Sequence, residues 1–301
     1  MRHLLSIQDL TEDEIKWILR KAGELKKRPR EHTYLERKIL AMIFEKPSTR
    51  TRVSLSVAMH NLGGEAIYLN TSDLQLGRGE TIEDTGRVLS RYVDFISARV
   101  FYHQTLEELK EHSSVPVINA LSDLEHPLQA LGDIYTILEK FKAFKSIAYV
   151  GDGNNNITHS LLLLCSKLGI NISVGCPKEY EPNEKIVENA RKNAKKYGSH
   201  VIVTDDPITA VKEEDIVYTD TWISMGRTDI AKRLKAFQPY QVNEKLVSHA
   251  KKDYAFMHCL PAHRGQEVTE RIIDGPNSLV WTQAENRVYS GMAVLLFLAR
   301  K

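Results

Sequence analysis

No apolar stretch among the 301 residues approaches the ~20 that a membrane-spanning helix needs. The opening segment Met1-Arg-His-Leu-Leu-Ser-Ile-Gln-Asp-Leu turns polar and acidic too early for a secretory leader, which needs a longer apolar run and a small-residue cleavage site. A soluble, cytoplasmic protein is therefore expected. Cysteine is scarce: Cys165, Cys176 and Cys259 are an odd number and form no CxxC pair. That argues against a disulfide scaffold and against a zinc site. Cys165 and Cys176 lie in apolar segments and read as buried, inert thiols. An excess of one charge is also missing, since 41 basic residues face 39 acidic ones. The balance gives no reason to expect a nucleic-acid or membrane surface, although it leaves room for a local basic pocket that holds an anion.

What the chain does have is an ordinary globular composition, 42% hydrophobic and 27% charged, in a length that suits two domains of roughly 150 residues. No internal repeat or low-complexity segment interrupts it. Short β-rich runs alternate with longer helical ones. Thr11, with Glu14 three residues on, has the pattern of a helix-opening capping box. Strands are expected at 38–45, 65–69, 95–100 and 115–119, and helices at 52–62 and 81–92. A long amphipathic helix over 128–144 would bridge to a second alternation. There, strands fit 146–150, 171–176, 200–204, 216–219 and 254–258, with helices at 157–168, 183–197 and 284–300. Such alternation implies an α/β fold of two domains, each a mostly parallel sheet with helices on both faces. The expected domains are 1–140, completed by the C-terminal helix 284–301, and 145–283. Ligands of such folds bind at strand C-terminal ends, here in a cleft between the domains.

The first strand runs into Lys46-Pro-Ser48-Thr49-Arg50-Thr51-Arg52 and then a helix. A helix N-terminus offers free N–H groups and a partial positive charge, which suit phosphate. Arginine adds charge-assisted, two-pronged hydrogen bonds. Capping alone would need one hydroxyl, not three and an arginine. The motif is not a Walker loop, because its glycines and GK[ST] are absent. Arg99 ends a later strand in the same half. After Asn119 the chain reaches His126-Pro127-Leu128-Gln129, where Pro127 fits a first helical turn and so places His126 and Gln129 at a helix start. In the second half, Gly151-Asp-Gly-Asn-Asn-Asn156 suggests a dinucleotide loop, but Asn156 replaces its third glycine. The next strand runs out at Cys176-Pro177 without an acid for a ribose.

Ser-Thr-Arg-Thr-Arg, an arginine ending a later strand and His-Pro-x-Gln together resemble the carbamoyltransferases. Asp220-Thr-Trp222-Ile-Ser224-Met225-Gly226, His258-Cys259-Leu260-Pro261 and the Gly151 loop resemble the ornithine-using branch of that family rather than the aspartate-using one. The resemblance spans essentially the whole chain. It implies transfer of the carbamoyl group of carbamoyl phosphate to the δ-amine of L-ornithine, giving L-citrulline and phosphate in arginine biosynthesis. It implies no metal or cofactor, and a homotrimer with shared active sites; larger assemblies of trimers are left open. Ser48, Thr49, Arg50 and Thr51 would hold the phosphate. Arg99, His126 and Thr51 would polarise the carbamoyl oxygen and stabilise the oxyanion. Gln129 and the Leu260 carbonyl would bind the carbamoyl NH₂, with Cys259 beside it. Arg287, at the start of the last helix, would add positive charge. Gln75, from the loop 70–80 of a neighbouring subunit, would complete the pocket.

Ornithine brings an α-carboxylate, an α-ammonium and a δ-amine. Asn155 or Asn156, with Ser224 and the Met225 backbone, suits the amino-acid head, and Asp220 offers a negative partner for an ammonium. An alkyl amine arrives protonated, at a pKa of about 10.4, and must lose that proton before it attacks. Asp220 and Cys259 are the candidates for orienting it and taking the proton. A thiol of ordinary pKa ~8.5 would need a perturbed setting to serve as a base, so Cys259 as a simple lining residue stays open. Putrescine and N-acetylornithine are the alternative substrates, and a non-catalytic ligand-sensing protein is the alternative class.

Overall fold

The computed structural model describes residues 1–28, 33–74, 79–141, 144–223 and 228–300, apart from the side chain of Asp73. The chain divides into two compact units. The first comprises Met1–Tyr135 and Glu285–Lys301, and the second Thr136–Ala284.

The first unit opens on α1 (Glu12–Lys27), whose cap Thr11 accepts from the Glu14 N–H while the Glu14 carboxylate accepts from the Thr11 N–H. Such a box supplies about 1 kcal/mol. Strands β1 (Ile39–Phe44), β2 (Glu65–Asn70), β3 (Phe95–Arg99) and β4 (Val117–Leu121) form one parallel sheet in the order β2-β1-β3-β4. β3 is buried along its whole length and β1 along all but its first residue. Parallel strands covered on both faces need such unbroken apolar runs. β2, at the edge, has no fully buried residue. Helices α2 (Thr49–Asn61), α3 (Ile82–Leu89), α4 (His103–His112) and α5 (Pro127–Lys140) follow the strands in turn.

The second unit repeats the plan. Strands β5 (Ser146–Val150), β6 (Asn171–Gly175), β7 (Val201–Thr204), β8 (Ile216–Thr219) and β9 (Ala255–His258) make a parallel sheet in the order β7-β6-β5-β8-β9. Its helices are α6 (Asn156–Lys167), α7 (Glu184–Tyr197), α8 (Pro207–Val211), α9 (Ile230–Phe237), α10 (Glu244–Val247) and α11 (Glu270–Ile273). The last helix, α12 (Val280–Leu298), starts in the second unit and ends in the first.

In each sheet the strand order reverses once, between β1 and β3 and between β5 and β8. At such a switch the connections leave in opposite directions and open a crevice past the strand C-termini. The segments that follow β1 and β3, and those that follow β5 and β8, carry most of the residues singled out from the sequence.

The expected helices need correction. α2 begins at Thr49 rather than 52, because Ser48 is its N-cap and accepts from the Thr51 N–H at 3.2 Å. α12 begins at Val280 rather than 284, so Arg287 sits two turns inside the helix. α4 and the short helices α8, α9, α10 and α11 were not anticipated; in α4, Leu106 and Leu109 are the only buried residues, too few to set a helical period.

Candidate active site

In the first unit the switch crevice is cationic. Arg50 and Thr51 lie in the first turn of α2, where the helix end already favours an anion. Thr51 is buried, Arg50 and Ser48 are half-buried, and Thr49 is exposed. Arg52 faces elsewhere, with its guanidinium 3.6 Å from the centre of the Tyr68 ring. Arg99 ends β3 and is buried. Arg287 arrives from α12, where Gly132 of α5 lets the helices close: a Cβ there would stand 3.1 Å from Arg287 Cδ. The Arg287 guanidinium donates to Gln129 Oε1 and, at 3.2 Å, to Thr51 Oγ1. Gln129 in turn donates to Asp133 at 2.7 Å. One arginine thus braces both Thr51, from the first turn of α2, and Gln129, from the first turn of α5.

His126 sits immediately before α5 and is buried. Burial pushes its pKa well below the usual imidazole value, and the positive charges of Arg287, Arg99 and Arg50 push the same way. The imidazole is therefore neutral near pH 7, a hydrogen-bonding group that takes no positive charge from its neighbours. The sequence did not reveal what fixes it in place. Asn119 is not a pocket residue: its amide donates to the Leu5 and Glu125 carbonyls at 2.8 and 3.1 Å. Glu125 accepts from Ser6 Oγ at 2.5 Å and from the Ile7 N–H at 3.1 Å. Those bonds tie the turn before His126 to the N-terminal segment.

In the second unit the corresponding crevice is acidic. Asp220, just past β8, is buried. It accepts from Asn155 Nδ2 at 3.1 Å, from the Thr221 N–H at 2.8 Å and from the Cys259 thiol at 3.0 Å. Asn155 also caps α6, accepting from the Ile157 N–H at 2.7 Å. Asn156 is instead the first residue of that helix. Leu260, at φ 61°, stands in the left-handed region that favours glycine. Its N–H donates to His258 Nδ1 at 2.8 Å, and the other ring nitrogen lies 3.2 Å from Glu267. Nδ1 is thus the acceptor nitrogen, and Nε2–H donates to the carboxylate.

That tautomer bears on metal binding. Among the described residues Asp220, His258 and Cys259 offer ligand atoms within 4.8 Å of one another. Both nitrogens of His258 are already committed, so a cation would have to break the bond that shapes Leu260. The set fits an ammonium better than a metal. Cys165 and Cys176 are buried, and burial raises the Cys176 thiol to about 12. Gln75, Ser224 and Met225 lie outside the described residues.

The profile of the aspartate/ornithine carbamoyltransferase carbamoyl-P binding domain matches residues 2–139, and that of the Asp/Orn binding domain matches residues 144–298. This chain belongs to the aspartate/ornithine carbamoyltransferase family. Its relatives in the family include the ornithine carbamoyltransferase of Pyrococcus abyssi, 55% identical over 303 residues, covering 99% of this chain and 95% of that protein. The protein of Pyrococcus furiosus named "Ornithine carbamoyltransferase, anabolic" is 55% identical over 300 residues, covering 98% and 95%. The solved structure of ornithine carbamoyltransferase from Pyrococcus furiosus superposes with a TM-score of 0.95 at 54% identity, covering 100% of this chain and 98% of that one. Within this carbamoyltransferase chain the cationic crevice falls in the carbamoyl-P binding match, except Arg287, and Asp220 with its partners falls in the Asp/Orn binding match.

Proposed function

We propose that the protein transfers the carbamoyl group of carbamoyl phosphate to the δ-amine of L-ornithine, giving L-citrulline and phosphate. One observation carries the reading. A crevice with three arginines around a neutral histidine is matched, in the other unit, by a crevice built on a buried aspartate. The first suits a phosphorylated acyl donor and the second a cationic amine. The first unit, with the end of α12, acts as the carbamoyl-phosphate domain and the second as the ornithine domain.

Ser48, Thr49, Arg50, Thr51 and the N-terminus of α2 hold the phosphate. Arg99, His126 and Thr51 donate to the carbamoyl oxygen as it gains charge. Gln129 and the Leu260 carbonyl orient the carbamoyl NH₂, with Cys259 alongside and Arg287 fixing Gln129. Asn155, Ser224 and Met225 take the amino-acid head. The neutral δ-amine attacks the carbonyl carbon, a tetrahedral intermediate forms, and the C–O bond to phosphate breaks. The proton leaves through Asp220 or Cys259. No covalent enzyme intermediate and no metal is required. Arginine biosynthesis is the setting proposed for this reaction.

The purified protein should form citrulline from carbamoyl phosphate and ornithine, and should turn over putrescine and N-acetylornithine at least roughly a hundredfold less efficiently. A hydrogen-bonding site that lacks its partner group typically discriminates by that much or more. Comparable rates on putrescine would move the assignment to another amine; no carbamoylation of any of the three would remove the transferase reading.

The reading also takes the cytoplasmic enzyme to be a homotrimer in which Gln75 and Arg78 of one subunit complete a neighbour's phosphate pocket. A Gln75/Arg78 double variant and an Arg50/His126 double variant should each be nearly inactive. Refolded together, they should regain activity well above the sum of the two, because some mixed interfaces join an intact loop to an intact pocket. Mixed oligomers, verified by mass spectrometry, that stay inactive would mean that each chain carries a complete site.

A further inference from the structure

Asp152, the acid of the Gly151 loop, has no part in the proposed chemistry, yet it is almost wholly buried. Its partner is Arg233 of α9, also almost wholly buried, whose guanidinium donates to Asp152 Oδ2 and, through Nε at 2.7 Å, to the Trp222 carbonyl. The guanidinium lies 4.8 Å from the Tyr180 ring centre and 5.1 Å from that of Phe237, and Trp222 stacks on Phe237 at 6.0 Å. Asp152 also accepts from the Asn154 N–H at 3.1 Å. Gly153 admits no side chain there, since a Cβ would stand 2.5 Å from the Tyr180 carbonyl.

We infer that Arg233 is a positioning residue for amine recognition, joining the turn that carries Asn155 to the turn that carries Asp220. β5 and β8 are neighbours in the sheet, paired as far as Tyr149–Tyr218, and Thr219 Oγ1 donates to the Val150 carbonyl at 2.6 Å; past that point the two turns leave the sheet. Beyond it, two polar contacts among the described residues join the turns. One is the Asn155–Asp220 hydrogen bond at 3.1 Å, which substrate must approach. The other is Arg233, lodged behind it among aromatic rings. A guanidinium is a rigid fork whose geometry can satisfy a carboxylate and a carbonyl together, whereas an ammonium on a flexible stem cannot hold both in one plane. The inference rests on the assignment of Asp220 and Asn155 to ornithine.

Three variants test it: Arg233→Lys, Arg233→Met, and Arg233→Met combined with Asp152→Asn. Arg233→Lys keeps the ion pair and should leave thermal stability near wild type. Arg233→Met leaves Asp152 buried without its cation and should lower stability sharply, whereas the double variant, with neither charge, should recover much of it. In all three that fold, the KM for ornithine should rise about tenfold or more, the effect of losing one well-placed charge-assisted hydrogen bond. The Kd for carbamoyl phosphate, measured by calorimetry, should stay within about twofold, because none of the contacts described for Arg233 is a residue assigned to carbamoyl phosphate. A lysine variant or a stable double variant with wild-type ornithine KM would overturn the inference and make Arg233 a fold-stabilising residue only. A wild-type enzyme that forms no citrulline would instead bring down the ornithine assignment, and this inference with it.

Discussion

Asp220→Asn is expected to lower kcat/KM for ornithine by roughly a hundred- to ten-thousandfold while carbamoyl phosphate still binds with wild-type affinity. The substitution preserves shape and removes the charge. Leaving a buried ammonium without its carboxylate costs about 3–5 kcal/mol, and each ~1.4 kcal/mol is a factor of ten in rate. The hydrogen bonds explain why an amide cannot substitute. One carboxylate oxygen accepts from both the Thr221 N–H and the Cys259 thiol, and the other accepts from the Asn155 amide. An asparagine can keep the first oxygen, but its NH₂ then faces the NH₂ of Asn155, donor against donor. Asn155 must turn, and the amino-acid pocket loses two groups rather than one. Every arginine of the phosphate pocket belongs to the other unit, so calorimetry with carbamoyl phosphate serves as the control. Near-normal ornithine kinetics would remove Asp220 from amine recognition. Lost carbamoyl phosphate binding would make it a structural residue.

The parts of this site that the sequence displays are those encoded by neighbours in the chain. Hydroxyls and arginines packed behind Pro47, an arginine closing an apolar strand and Pro127 between His126 and Gln129 all announce crevice residues on local pattern. Apolar runs such as Ile-Ala-Tyr-Val at 147–150 announce buried parallel strands for the same reason. Local pattern also misled. The polar Thr-Arg-Thr-Arg at the start of α2 hides a helical turn, because its apolar face begins only at Leu55. Long-range partners left no trace at all. Asp152 meets Arg233 81 residues away, and Asn119 meets Leu5 across 114. No periodicity encodes such pairs, and the glycine-rich loop therefore read as a failed nucleotide motif instead of one arm of a brace. The charge state of His126 was equally hidden, since it depends on burial and on three arginines drawn from α2, β3 and α12.

Arg287→Met should be nearly as damaging as the loss of Asp220, and on the opposite substrate. Arg287 donates to Gln129 and to Thr51, both buried. Without it Gln129 and Thr51 lose their orientation, and losing one preorganised donor at a reacting carbonyl typically costs about 10²–10³ in rate, so kcat/KM for carbamoyl phosphate should fall roughly a hundred- to thousandfold. A second consequence separates an electrostatic role from simple bracing. Burial is the main cause that holds His126 neutral, and Arg287 is the next. Without that cation the folded-state pKa of His126 rises, though burial, Arg99 and Arg50 keep it below the unfolded value of about 6.5. The sign follows from proton binding. In the wild type the unfolded chain takes up a proton at His126 below about pH 6.5 while the folded chain does not, so stability is present above that pH and is lost as the pH falls towards the depressed folded value. In the variant the two values lie closer together, and less stability is lost over the same interval. The imidazole followed by NMR as the pH is lowered, with His126→Gln to assign its signal, should therefore titrate at a higher pH in Arg287→Met than in wild type. The same titration midpoint in wild type and variant would show that the charge of Arg287 does not reach His126 and that its contribution is confined to holding Gln129 and Thr51. Unchanged carbamoyl phosphate kinetics would remove even that, and the cationic pocket would have to be rebuilt around Arg50 and Arg99 alone.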